Sequence, residues 1–187
     1  MVAATILIVP GLYDSGPLHW QTRWEQRLPQ VARVRQQSWS VPIQADWVAT
    51  LAAQLAAIDG PVVLAAHSLG CITAVHLAAA QGAGQIVGAL LVAPADVERD
   101  NAPPVIRNFA PIPRVPLPFT SLVVASDDDP YCTLSRSQAF ASDWGAKLIT
   151  LPGAGHINGD SGLGEWEDGL VLLNELVHEA QARIAAG

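Results

Sequence analysis

Short runs of apolar, largely β-branched residues recur along the chain, separated by segments whose apolar positions repeat every three or four residues. The first run, Thr5 to Val9, is stopped by Pro10-Gly11 and predicts a buried strand. Leu18 to Leu28 follows with Trp20, Trp24 and Leu28 four apart, which is one face of a helix. Val31 to Trp39 opens with alternation and predicts a strand at or near a sheet edge, broken by Pro42. Asp46 to Ile58 places Trp47, Leu51, Leu55 and Ile58 at helical spacing, closed by Asp59-Gly60.

Pro61 to Ala66, Ile86 to Val92, Thr120 to Ala125 and Lys147 to Leu151 are four further apolar strands, the last ended by Pro152-Gly153. Helical patterns run from Leu134 to Trp144 and through Leu170, Leu173, Val177 and Ile184. Apolar strands alternating with helices build βαβ units, and the near-continuous hydrophobicity of the strands fits a parallel sheet buried on both faces. The pattern therefore predicts an α/β fold of about six mainly parallel strands flanked by helices. Asn101 to Pro118 breaks it. Six prolines, at 103, 104, 111, 113, 116 and 118, exclude a central strand or a long helix and leave a crossing loop.

Composition narrows the class. With 187 residues, half of them hydrophobic, the chain is expected to form one domain over residues 1–187 with a sizeable core. A formal net charge of −7 and the lack of a basic stretch argue against a nucleic-acid partner, since phosphate neutralisation needs clustered Lys and Arg. The mean hydropathy is positive, yet no apolar run approaches the roughly 18 residues of a membrane span. Thr5 to Val9 lacks the basic flank and length of a signal peptide, so a cytoplasmic location is expected. Cys71 and Cys132 lack metal-binding spacing, and neither a metal nor a cofactor is expected.

Against this frame, Pro61 to His76 reads as strand, tight turn and helix, with Ser68 at the turn in Ala66-His67-Ser68-Leu69-Gly70. The spacing is that of a nucleophile elbow, G-x-S-x-G, with Ala66 for the first glycine, small residues being needed where the chain folds tightly. Ser68 as an ordinary helix N-cap is the simpler alternative. The rest of the chain decides between them. In open parallel sheets ligands bind beyond the carboxyl ends of strands, and Ser68 follows one strand end. Asp127, Asp128 and Asp129 follow another, Asp96 a third, and His156 follows the last strand. The order Ser, Asp, His is that of α/β-hydrolases. A serine needs an imidazole to take its proton and a carboxylate to orient that imidazole.

His67, His76 and His178 are placed as packing or helical histidines, and His19 stands beside the first strand's loop. The backbone N–H groups of Leu69 and Leu12 are the candidate oxyanion donors. Trp20, Trp24 and Trp39 sit at spacings that suit the core better than a pocket.

With these residues placed, the chain resembles the small serine hydrolases similar to retinoblastoma-binding protein 9. The resemblance rests on Pro10-Gly11, His19-Trp20 with Trp24, Trp39 with Pro42, Asp46-Trp47-Val48, the Ser68 motif, Asp128-Asp129-Pro130, and Gly155-His156 followed by Asn158, Ser161 to Gly164 and Glu165-Trp166. It implies a minimal α/β-hydrolase fold without a cap domain. It also implies Asp128, the first Asp of the Asp-Asp-Pro run, as the acid beside Ser68 and His156, and turnover of small-molecule esters, thioesters or amides through an acyl-serine. A protein-interaction module on the same fold, a lyase and a cofactor-free haloperoxidase are the alternatives.

Overall fold

A computed structural model describes residues 4–186 of the chain. Six strands form one sheet in the order β2-β1-β3-β4-β5-β6. They are β1 (Thr5–Val9), β2 (Val31–Arg33), β3 (Val62–His67), β4 (Ile86–Val92), β5 (Thr120–Ser126) and β6 (Lys147–Leu151). Every neighbouring pair is parallel. The helices are α1 (Trp20–Arg27), α2 (Gln44–Ala56), α3 (Leu69–Gln81), α4 (Leu134–Trp144) and α5 (Glu167–Ala186).

Period-two alternation sorts the strand side chains between two cores. Leu7, Val9, Leu64 and Ala66 face α2, α3 and α4, where Trp47, Leu51, Ile72, Phe140 and Trp144 pack. Ile6, Ile8, Val63 and Ala65 face α1 and α5, against Trp20, Trp24, Leu170 and Leu173. Both faces are covered, as strands apolar at every position require. The Trp20 and Trp24 rings are fully buried in the second core, and Trp39 packs at the margin of the first. The side chain of Ile184 lies outside the described residues.

Two segments depart from the pattern. The strand expected over 31–39 is only three residues long and lies at the sheet edge. Its third residue, Arg33, pairs with Ile8 in the ladder and is a buried cation held by Asp14 and Glu25, a charge of the kind that edge strands carry. The proline-rich crossing loop contains a 3₁₀ turn, Pro104–Phe109, started by a proline, whose fixed φ suits a first helical position. Ile106 and Phe109 from this turn are buried against the sheet's first core.

After β1 the chain moves outward to β2 and returns across β1 to β3 before building in the other direction. The carboxyl ends of β1 and β3 therefore flank the point where strand order reverses, and a crevice opens there. No separate cap domain covers it among the described residues.

Candidate active site

Ser68 stands at the turn between β3 and α3 with φ 55° and ψ −120°. A non-glycine residue there costs about 1–3 kcal/mol and persists only when its surroundings enforce it. The enforcement comes from β1. A Cβ on Gly70 would lie 2.3 Å from the Val9 carbonyl oxygen and 2.6 Å from that of Pro10, and one on Gly11 would lie 2.9 Å from the Ser68 Cβ. Ala66 is not what presses on Gly70. It pairs in register with Val9 inside the first core, where its methyl is accommodated. The tight contact is between the elbow and the end of the neighbouring strand.

The Ser68 hydroxyl makes no capping bond to α3. It stands 2.9 Å from Nε2 of His156. Nδ1 of His156 lies 2.9 and 3.0 Å from the two carboxylate oxygens of Asp129. A carboxylate only accepts, so the imidazole proton is on Nδ1 and Nε2 is left to accept from the serine. The Asp129 side chain is 3% exposed and also accepts from the N–H of Tyr131.

Asp128, the expected acid, is not the partner of His156. It turns outward, where its Oδ1 accepts from the Ser126 hydroxyl at 2.6 Å and the Gly155 N–H at 2.7 Å. These two bonds hold its carboxyl below the usual range. Asp96 is occupied elsewhere, by Arg136 and by the N–H of Glu98. The physical reason is a ladder between two loops. Asp127 accepts from Gly153 N–H, the Ser126 hydroxyl accepts from Ala154 N–H, Asp128 accepts from Gly155 N–H, and Asp129 then meets the His156 ring. The end of β5 and the turn after it thus grip Gly153, Ala154 and Gly155 after β6, which leaves the third aspartate opposite the histidine.

The loop that carries His156 is held from below as well. Nε1 of Trp20 donates to the Ile157 carbonyl, Nε1 of Trp24 to that of Glu165, and the Ser161 hydroxyl to that of Ala154. His67 Nε2 lies 2.9 Å from the carbonyl oxygen of His156, so that nitrogen carries the proton. Gln21, fully buried, donates to the carbonyls of Val9 and Ala65 and fastens α1 to the ends of β1 and β3. His19 caps α1 by accepting at Nδ1 from the Gln21 N–H, which places its proton on Nε2.

The rings of His19, His67 and His156 meet edge to face in a row, with centroids 4.6 and 4.8 Å apart. Burial, with smaller contributions from Arg33 and His156, lowers the His19 pKa to about 3. Burial likewise drives that of His67 well below its ordinary value. Both are neutral at physiological pH. His76 bonds to the Phe109 carbonyl and His178 is exposed on α5, so neither belongs to the site. Burial raises the Cys71 thiol well above its ordinary pKa and that of Cys132 to about 12, which leaves neither a nucleophile.

Ser68, His156, Leu12 and Leu69 line one cavity of about 260 Å³. The Leu69 N–H begins α3 and has no intrahelical acceptor. The contact of Gly11 with Ser68 and Leu69 brings the peptide leading to Leu12 beside it. The rest of the wall includes Ala95, Pro103 and Ile106, so the crossing loop borders the site. Among the described residues no group of His, Cys, Asp or Glu side chains could hold a metal ion. No described helix is long and apolar enough to cross a membrane.

A parallel sheet whose elbow serine meets a histidine and a buried carboxylate at the switch point is an α/β-hydrolase architecture. The chain belongs to the serine hydrolase family, whose model matches residues 6–175. A protein of Pectobacterium atrosepticum described as a YdeN-like hydrolase shares 36% identity over 95% of this chain and 92% of its own, with a TM-score of 0.85. The ydeN gene product of B. subtilis, 21% identical over 93% and 98% of the two chains, superposes with a TM-score of 0.76. Est1E from Butyrivibrio proteoclasticus, at 16% identity over 99% and 89%, shares the fold with a TM-score of 0.68. No curated protein matches the chain.

Proposed function

We propose that the protein is a carboxylesterase-like serine hydrolase that cleaves small esters, thioesters or amides through an acyl-Ser68 intermediate. The observation that carries this is the continuous hydrogen-bonded line from the Ser68 hydroxyl through His156 to Asp129, opening into a cavity. In this reading His156 Nε2 takes the proton as Ser68 Oγ attacks the substrate carbonyl. The N–H groups of Leu12 and Leu69 receive the developing oxyanion. His156 then protonates the leaving group, and a water activated by the same nitrogen releases the acid. Asp129 remains ionised and stabilises the imidazolium. The resemblance to retinoblastoma-binding protein 9 belongs to this proposal, as does a cytoplasmic setting, which suits two free buried cysteines.

Treatment with a fluorophosphonate tests the reading directly. Peptide mass spectrometry is expected to find one adduct, on Ser68, and Ser68→Ala is expected to lose both the adduct and ester turnover. An unlabelled native protein would sink the proposal.

The cavity volume sets a second expectation. About 260 Å³ accommodates a small acyl group with its leaving group but no long chain. Across p-nitrophenyl esters of increasing acyl length, kcat/KM should peak at short chains and fall beyond about six carbons. A maximum at long chains would contradict the size argument.

A further inference from the structure

Of the ten Lys and Arg residues, one lines the cavity that holds Ser68 and His156, and it is Arg99. Seven of the other nine stand within ion-pair distance of an Asp or Glu. Arg107 and Arg183 bond to carbonyls and to a hydroxyl away from the cavity. Arg99 has no carboxylate within that distance among the described residues, although Asp96 and Glu98 precede it closely. Both of those acids turn to Arg136 instead. The acid that shares the cavity wall, Asp14, is taken by Arg33.

The Arg99 guanidinium is nonetheless fixed. Its Nη1 donates to the carbonyls of Asp96 at 2.9 Å and Tyr131 at 3.3 Å, and the group lies 5.3 Å over the Tyr131 ring. That ring meets the His156 imidazole edge-on at 4.6 Å. The Nε of Arg99 is buried and has no hydrogen-bond partner. A cation so held has given up part of its hydration without gaining a counter-charge, in a cavity whose wall mixes apolar residues such as Leu12, Ala95 and Ile106 with the neutral His19 and Asn158 and with Asp14, already paired to Arg33.

We infer that Arg99 is a specificity-determining residue and that the substrate of this site carries a carboxylate, which supplies the missing counter-charge. The inference rests on the reading of Ser68 as nucleophile. The N–H groups on Nη2 have no protein partner among the described residues and can donate to a carboxylate, a charge-assisted pairing that the apolar part of the wall strengthens. The substrate class is then small anionic esters or amides, such as half-esters of dicarboxylic acids or acyl esters of a hydroxy acid.

Two matched ester pairs test this: mono-p-nitrophenyl adipate against p-nitrophenyl methyl adipate, and p-acetoxybenzoate against its methyl ester. The first pair places the charge on the acyl side and the second on the leaving group. The native enzyme is expected to favour the anionic member of at least one pair by about tenfold or more in kcat/KM, the size of a charge-assisted hydrogen bond. R99Q should abolish the preference, R99E should invert it, and R99K should retain part of it. In the native enzyme the preference should shrink as salt is raised.

A preference below threefold in both pairs, or one that R99Q and R99E keep, overturns the inference. The native comparison stands even if a variant fails to fold. Absence of a fluorophosphonate adduct together with no turnover of any of the four esters would overturn the Ser68 reading itself. An adduct with equal turnover of charged and neutral esters overturns only the role of Arg99.

Discussion

Asp129→Asn is expected to lower ester turnover by about 10⁴-fold, whereas Asp128→Asn is expected to lower it by about tenfold or less. The first variant keeps the side-chain shape but exchanges a pure acceptor for a group with an N–H donor. His156 Nδ1, now 2.9 and 3.0 Å from two carboxylate oxygens, would lose the partner that keeps its proton there. The tautomer with the proton on Nε2 cannot accept from Ser68, and the imidazolium of the proposed acyl transfer would lose its counter-charge. Asn at 128 retains a carbonyl oxygen for the Ser126 hydroxyl or the Gly155 N–H. It forfeits charge assistance in the ladder, which loosens the His156 loop without removing a reacting group. Initial rates on p-nitrophenyl acetate for the two variants, with circular dichroism to verify folding, separate the roles. Equal losses, or a larger loss in Asp128→Asn, would return the acid to position 128.

The aspartate run shows where sequence reading stops. Strand ends are legible because apolar runs stop at Pro10, at Ala66 and at Pro152, and a parallel sheet puts those ends on one side. That is enough to bring Ser68, an aspartate after β5 and His156 together. Which of three adjacent aspartates faces inward depends on how the turn after β5 pairs with the N–H groups of Gly153 to Gly155, a relation between two loops that no local pattern encodes. A signal was present all the same. Gly153-Ala154-Gly155 offers consecutive backbone donors with no helix or strand to use them, and Ser126-Asp127-Asp128 offers three acceptors.

Other features were hidden for a similar reason. Gln21 reads as a polar position on a helix, yet it is fully buried and fastens α1 to two strand ends. Arg99 sits among Asp96, Glu98 and Asp100, and composition alone would pair it locally. Only the placement of Arg136 on α4 draws Asp96 and Glu98 away. The tryptophans, by contrast, were readable from spacing: Trp20 and Trp24 fall four apart on the face of α1 that packs against α5 and the His156 loop. Their indole N–H groups then find the carbonyls of Ile157 and Glu165, so one helical face contributes both core volume and the positioning of the His156 loop.

Folding stability should fall between pH 6.5 and pH 5, by about 2 kcal/mol from His19 alone, with native structure most stable above about pH 7. His19, lowered to about 3 by burial, is neutral when folded throughout that range, and burial of His67 shifts it in the same direction. In the unfolded chain each protonates near pH 6.5. The unfolded state therefore binds more protons than the native state near pH 5, which makes stability rise with pH. The contribution of this pair is whole above the unfolded pKa and is lost progressively as the pH falls from there towards the folded values. Asp128 and Glu167, whose carboxyls are held below the usual range, act with the same sign but only nearer pH 4 and below. Urea denaturation at several pH values between 7.5 and 5 should give midpoints that fall steeply with acid at constant m. His19→Asn keeps an N-cap acceptor for Gln21 and should remove about one proton from that dependence. A midpoint that does not move between pH 7 and pH 5 would mean that the buried histidines take up protons in the folded protein, and the neutral wall beneath His156 would have to be abandoned.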